Sequence, residues 1–195
     1  FVWIALLVLS LGLVSACGGA KQPAGQSGGE EKTTIGLAIS TLNNPFFVDL
    51  RDGAQAAADA AGFELVVLDA QDDPSAQVSQ IEDLITQKVD VILINPTDSD
   101  AVVPAVEQAN KAGIPVITVD RSASGGEVVS HIASDNVAGG KMAGEYLLEL
   151  IGRKGNIVEL EGVPGASATR DRGEGFHQAV DGVADVTVVA RQTAN

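Results

Sequence analysis

Short apolar segments and amphipathic segments alternate along the chain from Lys32 onwards. Runs rich in Val, Ile and Leu, such as residues 89–94 (VDVILI), have the length of buried strands, and the stretches between them repeat their apolar residues at helical spacing. Near-continuous apolar strands separated by helices are typical of parallel sheets covered on both faces. The pattern therefore predicts an α/β fold of doubly wound parallel sheets with helices on both faces.

Proline and glycine mark several of the predicted helix ends. Pro45 opens the first helix, Gly62 ends it, and Pro74 stands near the start of the second. Strands are expected over residues 35–40, 63–69, 89–94, 114–119, 128–133, 156–160 and 185–190. Helices are expected over residues 45–61, from Pro74 onwards, and over 99–112, 137–151 and 168–181.

The first 32 residues predict an export signal and a tether. Residues 1–16 (FVWIALLVLSLGLVSA) carry no charge and fit the apolar region of a secretory signal peptide, of which only part is present. Cys17, the only cysteine, follows Val-Ser-Ala as in a bacterial lipobox, where the thiol is acylated; the alternative is a small buried cysteine. Residues 17–32 (CGGAKQPAGQSGGEEK) are rich in Gly, have no periodic apolar pattern and predict a flexible linker. We therefore expect an extracytoplasmic, lipid-anchored chain.

The amino-acid composition excludes several classes of binding partner. The 195 residues include 26 Asp and Glu against 12 Lys and Arg, for a net charge of −14, which argues against nucleic acid and against adhesion to anionic lipid headgroups. One cysteine excludes a multi-cysteine zinc site within a single chain, and two histidines leave little material for a metal centre. We expect neither a metal nor a cofactor.

Polar residues follow the carboxyl ends of four predicted strands, where open parallel sheets bind their ligands. Among them, the Asp120-Arg121 pair can accept from and donate to neighbouring hydroxyls of one small molecule, and its charges strengthen such bonds. Phe46 and Phe47 are adjacent in one of these segments, and flat rings with polar groups at their rim suit the binding of a sugar ring. The other candidates are Ser40, Asn44, Asn95 and Arg172.

Each candidate also has a purely structural interpretation. Asn44 could cap the helix that Pro45 opens, and one of the two phenylalanines could fasten that helix to the sheet. The remaining alternatives are an extended turn residue at Asn95, helix caps at Asp98 and at Asp135 or Asn136, a solvated helix face around Arg172, a structural His131 and a solvent-facing His177. The convergence of the candidates on one sheet edge is what favours a ligand site.

Five segments resemble the sugar-binding type I periplasmic binding proteins of bacterial ABC importers, and within that family the members that bind ribose. They are STLNNPFF (40–47), LINPTDSDAV (93–102), GIPVITVDR (113–121), EVVSHIASDN (127–136) and RGEGF (172–176). The resemblance runs from about Thr33 to the end of the sequence. It implies a two-lobed fold, with a first lobe at 33–134, a hinge near 134–136 and the start of a second lobe at 135–195.

The resemblance also implies a site and its partners. The family's sugar contacts fall on Ser40, Asn44, Phe46, Phe47, Asn95, Asp120, Arg121 and Arg172. The two phenylalanines and a further second-lobe aromatic would sandwich the ring of a monosaccharide, D-ribose above all. That aromatic and the later second-lobe contacts fall beyond Asn195, and the signal peptide lacks its basic region and initiator Met, so the sequence is expected to be truncated at both ends. The resemblance implies a membrane permease as the partner protein. It leaves open whether a chemoreceptor is a second partner.

Three rival hypotheses remain. An enzyme is disfavoured because no G-x-x-x-x-G-K-[ST] loop is present, no G-x-G-x-x-G follows the first strand, and no nucleophile or metal set accompanies Asp120 and Arg121. The effector domain of a LacI-type regulator shares the fold, but it needs a helix-turn-helix where this chain has its leader and linker. Within the same class, the ligand could instead be allose, another pentose or a furanosyl signal.

Overall fold

A computed structural model describes residues 32–194 of the chain. The predicted signal peptide, Cys17 and all but the last residue of the linker lie outside the described residues. Within them the strands are β1 (Thr34–Ile39), β2 (Glu64–Asp69), β3 (Val91–Ile94), β4 (Val116–Val119), β5 (Ser130–Ile132), β6 (Gly155–Glu161) and β7 (Val186–Thr193). The helices are α1 (Pro45–Ala61), α2 (Pro74–Gln87), α3 (Val103–Lys111), α4 (Asn136–Leu150) and α5 (Ser167–Val180).

The strands form two sheets, and every pairing in them is parallel. Five strands lie in the order β2-β1-β3-β4-β5, and β6 pairs with β7 in a second sheet. The chain passes from the first sheet to the second between β5 and β6, by way of α4. The predicted alternation of strands and helices, with parallel pairing, is confirmed.

Helices cover both faces of the five-stranded sheet, because alternate residues of a strand point to opposite faces. On one face Leu37 and Ile39 of β1 pack against Phe47 of α1. On the other face Ala38 of β1 belongs to a core that α2 and α3 supply with Ile81, Leu84, Val106 and their neighbours. Full burial of each such aliphatic side chain contributes about 1.5–3 kcal/mol.

Helix boundaries follow local capping chemistry. The side chain of Asp73 accepts hydrogen bonds from two backbone N–H groups at the start of α2. Asp135, one of the two residues predicted to cap α4, accepts from the N–H of Ala138. Gly62 ends α1 in the left-handed conformation, with φ of 75°. The helix expected from residue 99 begins only at Val103, and the residue before it makes no side-chain cap bond. The predicted cap at Asp98 closes the turn before the helix, where its carboxylate accepts from the N–H groups of residues 100 and 101 at 2.9 Å.

The second sheet is covered by α4 and α5, which pack very closely. A Cβ atom added to Gly140 of α4 would overlap the backbone of Arg172 in α5, and one added to Gly175 would overlap the backbone of Val137. Leu148, Ile157 and Val180 form the buried core beneath the helices. The two glycines are therefore required for close helix approach.

Two further observations concern membranes and metals. None of the helices among residues 32–194 is long and apolar enough to cross a bilayer. The same residues contain no group of three or more His, Cys, Asp or Glu side chains placed to hold a metal ion.

Gly140→Ala is expected to lower the free energy of unfolding by about 1–3 kcal/mol, because the added methyl group forces α4 away from α5. The matched control is Gly139→Ala at the neighbouring position, where an added Cβ meets nothing within 4 Å. That change should instead raise stability by about 0.5–1 kcal/mol through the helix propensity of alanine. Urea denaturation measures both, and equal effects of the two changes would contradict the close packing.

Candidate functional site

The loops that follow β1, β2, β3 and β4 all lie at the carboxyl edge of the five-stranded sheet, because the strands are parallel. Their backbones are joined there: the N–H of Asp72, after β2, donates to the carbonyl of Ser40, after β1, at 2.8 Å. All the predicted site residues of the first lobe belong to this edge or to the start of α1.

Ser40 and Asn95 form the buried floor of the edge. The Ser40 hydroxyl donates to Asn95 Oδ1 at 2.6 Å, and Asn95 Nδ2 donates to the carbonyl of Val119 at 3.0 Å, so the ends of β1, β3 and β4 are joined. Both side chains are fully buried. The structure therefore places the two predicted sugar contacts inside the protein, bonded to each other.

Gln77 completes this floor and was not predicted from the sequence. Its Nε2 donates to the carbonyl of Asn95 at 2.9 Å, and its Oε1 accepts from the N–H of Thr97 at 2.8 Å. Gln77 is buried on the same face of α2 as Ile81 and Leu84. A polar residue in the apolar stripe of a helix was the signal that could have identified it.

Asn44 caps α1, as its structural interpretation predicted. Its Oδ1 accepts from the N–H of Phe46 at 3.0 Å, and its side chain is exposed beside the aromatic pair. Capping uses only the carbonyl oxygen of the amide.

Phe46 and Phe47 have different roles although they are adjacent. Phe47 is 3% exposed and fastens α1 to the sheet, whereas Phe46 is 55% exposed. The two rings meet edge to face, with centroids 5.5 Å apart. One ring therefore belongs to the core, as expected, and the other presents an aromatic surface at the sheet edge.

Asp120 and Arg121 follow β4 in a constrained backbone. Asp120 has a φ of 64°, a left-handed conformation that few residues other than glycine adopt and in which aspartate and asparagine are enriched. The Arg121 guanidinium donates to the carbonyl of Pro96 at 3.2 Å, lies 5.0 Å above the Phe47 ring, and has its Nε 3.9 Å from Asp120 Oδ2. The pair thus presents an acceptor and a donor side by side.

The electrostatic surroundings of Arg121 include the other predicted charges. Burial lowers the pKa of the Arg121 guanidinium, the carboxylates of Asp120 and Asp72 oppose this change, and the positive charge of Arg172 lowers the pKa further. Arg172 lies on α5, where its Nε donates to the carbonyl of Ala168 at 3.0 Å. The structure therefore brings the predicted second-lobe arginine into the electrostatic field of the sheet-edge pair.

A cavity of about 790 Å³ lies elsewhere, between α4, β6, α5 and β7. Arg172 is the only predicted contact among its lining residues. Among residues 32–194, β6 pairs with β7 alone, and the cavity runs along this strand. We attribute the cavity to the open sheet edge and place the candidate site at the carboxyl edge of the first sheet, where the aromatic and charged groups converge.

The two histidines have structural partners. His131 Nδ1 lies 2.8 Å from the hydroxyl of Thr118, in line with its structural interpretation. The solvent-facing prediction for His177 is wrong: its side chain is 19% exposed, with Nε2 2.8 Å from Glu159 and Nδ1 3.1 Å from Asp181. Glu159 is brought to α5 by the second sheet, a contact between distant residues that helix periodicity does not report.

The chain has close relatives of known name. It is 50% identical over 195 residues to the ribose import binding protein RbsB of Bacillus subtilis, a match that covers 97% of this chain and 63% of the relative. It is 58% identical over 149 residues to RbsB of Escherichia coli, covering 76% of this chain and 50% of the relative. The chain thus spans about half to two thirds of the length of these relatives.

The fold of this chain is similar to the folds of solved protein structures. The Caulobacter myo-inositol binding protein, bound to myo-inositol, superposes with a TM-score of 0.80 at 32% identity, over 84% of this chain and 56% of that one. The expected type I periplasmic binding protein fold is thereby confirmed. Residues 35–195 match the family described as "Periplasmic binding protein domain", and the chain belongs to that family.

Proposed function

We propose that the chain is part of an extracytoplasmic solute-binding protein that captures a monosaccharide, D-ribose, and delivers it to an ABC-type permease. The observation that carries the proposal is the exposed Phe46 ring at the sheet edge, which meets edge to face the Phe47 ring that lies under Arg121 of the Asp120–Arg121 pair. The similarity to ribose import binding proteins, at 50% and 58% identity, supports ribose in particular.

Each group at the edge has a chemical task in this proposal. The Phe46 ring stacks on a C–H face of the sugar, and the Asp120 carboxylate accepts hydrogen bonds from two of its hydroxyls. Arg121, oriented by the Pro96 carbonyl and the Phe47 ring, donates to neighbouring oxygens. Arg172 donates from the opposite side.

The remaining predicted contacts act at the floor and the rim of the proposed site. Ser40 and Asn95 hold three strand ends in register beneath the sugar. The NH2 group of Asn44 reaches the sugar from the start of α1. A site built to bond each hydroxyl strongly rejects an analogue that lacks one.

The proposal includes two lobes, at residues 33–134 and 135–195, with a hinge near residues 134–136. The position of the hinge is supported by the chain path, which leaves the first sheet after Ile132 and enters α4 at Asn136. Closure of the lobes over one sugar is a shift toward the conformation that binds it better. The rest of the second lobe belongs to the part of the relatives that this chain does not span.

A second candidate keeps the class and changes the ligand to allose, another pentose, a furanosyl signal or a cyclic polyol. The superposition on a myo-inositol binding protein favours it, since the same fold there accommodates a ring that carries a hydroxyl on every carbon. We expect one or two second-lobe contacts outside this chain to decide between these ligands and ribose.

Asp120→Ala is expected to weaken ribose binding by the full-length protein at least about 100-fold, because it removes charged hydrogen bonds worth about 1.5–3 kcal/mol each. Isothermal titration with ribose, allose, xylose and galactose measures the affinity and its selectivity. Asp59→Ala, which removes an exposed carboxylate of α1, is the matched control and should bind normally. Unchanged ribose affinity in Asp120→Ala would contradict the site, and tighter binding of another sugar would select the second candidate.

Phe46→Ala and Phe47→Ala should separate binding from stability. Loss of the exposed Phe46 ring is expected to raise the Kd for ribose at least about tenfold, while loss of its edge-to-face contact with Phe47 costs only about 0.5–1.5 kcal/mol in the free energy of unfolding. Loss of the buried Phe47 ring should cost about 3–5 kcal/mol of stability. Calorimetric titration and urea denaturation of each variant make the comparison; a Phe46→Ala protein with normal affinity would remove the aromatic surface from the site.

Lipid anchoring through Cys17 is proposed from the lipobox resemblance and gives the protein its place at the outer face of the membrane. In cells that express the complete precursor, metabolic labelling with palmitate should label the protein, and Cys17→Ser should abolish the label and release the protein from the membrane fraction. The exposed Ser75→Ala change serves as a control and should leave the label intact. Membrane retention of an unlabelled Cys17→Ser protein would assign the anchoring to another segment.

A further inference from the structure

Gln77 is a buried polar residue of α2 whose side chain is directed at the strand ends beneath the candidate site. It is 1% exposed. Its Nε2 donates to the carbonyl of Asn95 at 2.9 Å and, at 3.4 Å, to the carbonyl of Ala38 in β1. Its Oε1 accepts from the N–H of Thr97 at 2.8 Å. This one amide therefore joins α2 to β1 and to both sides of Pro96, in the segment after β3.

Packing alone does not explain a glutamine at this position. The face of α2 that carries Gln77 also buries Ile81 and Leu84 in the apolar core. Burial of an amide in such surroundings is unfavourable unless its polar atoms are hydrogen-bonded. What the amide supplies, and an apolar side chain of the same length does not, is the pair of hydrogen bonds to the segment after β3.

Those two bonds fix the direction of the backbone in the segment Asn95-Pro96-Thr97. The Asn95 N–H donates to the end of β1 at 2.9 Å, and Pro96 has no N–H to donate. The Asn95 carbonyl and the Thr97 N–H, on either side of Pro96, are both bonded to Gln77. Because the Pro96 carbonyl shares a planar peptide group with the Thr97 N–H, the bond to Gln77 also sets the direction of that carbonyl.

The Pro96 carbonyl is directed at Arg121. In a trans peptide group the N–H and the C=O point in opposite directions, so the carbonyl points away from the Gln77 amide. The Arg121 guanidinium donates to this carbonyl at 3.2 Å and lies 5.0 Å above the Phe47 ring. Gln77 is thus connected to Arg121 through a single rigid peptide group.

Asn95 has a different task from Gln77, although both amides are buried at the same edge. Asn95 Oδ1 accepts from the Ser40 hydroxyl at 2.6 Å, and Nδ2 donates to the carbonyl of Val119 at 3.0 Å. Those bonds join three strand ends to one another. Gln77 instead orients the peptide group that lies beyond the strand end, where the charged group begins.

We propose that Gln77 is a positioning residue, which orients Arg121 through the peptide group between Pro96 and Thr97 and thereby sets the sugar affinity without contacting the sugar. The inference rests on the proposed function. A displacement of about 1 Å is enough to remove much of the effect of a positioned group. A loosened Pro96 carbonyl also returns conformational freedom to Arg121, which sugar binding would then have to remove.

The first test is Gln77→Met in the full-length protein, read by calorimetric titration with ribose. The change keeps the length of the side chain and removes both hydrogen bonds, so it should raise the Kd at least about tenfold. Gln77→Glu keeps an acceptor for the Thr97 N–H and, when protonated, a donor for the Asn95 carbonyl. Its Kd should therefore lie between those of the wild type and Gln77→Met. Equal Kd values for the wild type and Gln77→Met would overturn the positioning role.

The matched control separates affinity from stability. Leu84→Ala opens a cavity beneath the same face of α2 and should lower the stability to urea. It leaves the segment after β3 untouched, so the Kd for ribose should stay within about twofold of the wild-type value. A loss of affinity in Leu84→Ala as large as in Gln77→Met would assign the effect to stability and overturn the positioning role.

A double-mutant cycle tests whether Gln77 acts through Arg121. In an Arg121→Ala background, Gln77→Met should change the Kd by less than about twofold, because the group that it positions is absent. In a Phe46→Ala background, which removes a proposed contact on another loop, Gln77→Met should keep its full effect. An equal effect of Gln77→Met in the wild type and in Arg121→Ala would contradict the connection.

A further measurement needs no ligand. NMR relaxation of the Arg121 Nε–H group, whose resonance is identified by its loss in Arg121→Lys, reports how firmly the guanidinium is held. In the ligand-free protein Gln77→Met should lower the order of this group, and Leu84→Ala should leave it unchanged. Unchanged order in Gln77→Met would overturn the inference.

The ligand-free measurement distinguishes this inference from the proposed function. Ribose binding by the wild type, with the same affinity and the same Arg121 order in Gln77→Met, would overturn the positioning role and keep the function. A wild-type protein that binds none of the four sugars, but whose Arg121 loses order in Gln77→Met, would overturn the sugar assignment and keep the orientation of Arg121 by Gln77.

Discussion

Parallel pairing of β1, β3 and β4, secured at their carboxyl ends by Asn95, is the constraint on which the candidate site depends. Asn95 accepts from Ser40 and donates to the end of β4, and Gln77 holds its backbone from the side of α2. Each of these buried groups would carry a desolvation cost of about 1–3 kcal/mol if it lost its partner. The loops that carry Phe46, Asp120 and Arg121 therefore start from ends that cannot shift independently.

Above this buried floor, chemically similar residues have different roles: some support the site from below, and others are exposed where a ligand could contact them. Phe47 is buried against the sheet and carries the Arg121 guanidinium above its ring, while Phe46 remains exposed. Arg121 is oriented from two sides, by a carbonyl and by an aromatic face, which reduces the conformational entropy that a ligand would have to remove. The left-handed backbone of Asp120 is held by the bond from its N–H to the carbonyl of Ile132, at the end of the neighbouring strand. Arg121 and Asp120 are thus preorganised for ligand binding by contacts with several strands and loops of the sheet edge.

Local patterns predicted much of the fold. Apolar runs located the strands, Pro45 and Pro74 located helix starts, and Gly62 located a helix end, because each acts through its own backbone. The start of α3 was wrong by four residues: Asp98 caps a turn, as its structural interpretation predicted, but regular helix begins only at Val103. The partners of His177 and the closeness of α4 and α5 were also missed, because they depend on contacts between residues far apart in the chain.

The candidate site was predicted less completely, and for the same physical reason. Its position followed from the rule that parallel strands end at one edge, and Asp120 and Arg121 meet there as expected. The sequence pattern alone did not distinguish residues that are exposed at the site from residues that are buried beneath it, such as Ser40, Asn95 and Phe47. Burial depends on contacts between segments that are far apart in the chain, so it cannot be predicted from one segment by itself.

The most direct measurement is a crystal structure of the full-length protein grown with ribose. The account predicts the sugar ring against Phe46, with its hydroxyls within about 3.2 Å of the side chains of Asp120, Arg121 and Arg172, above an intact bond between Ser40 and Asn95. A sugar seated instead in the cavity between α4, β6 and α5, or an Asn95 side chain turned away from Ser40, would contradict it.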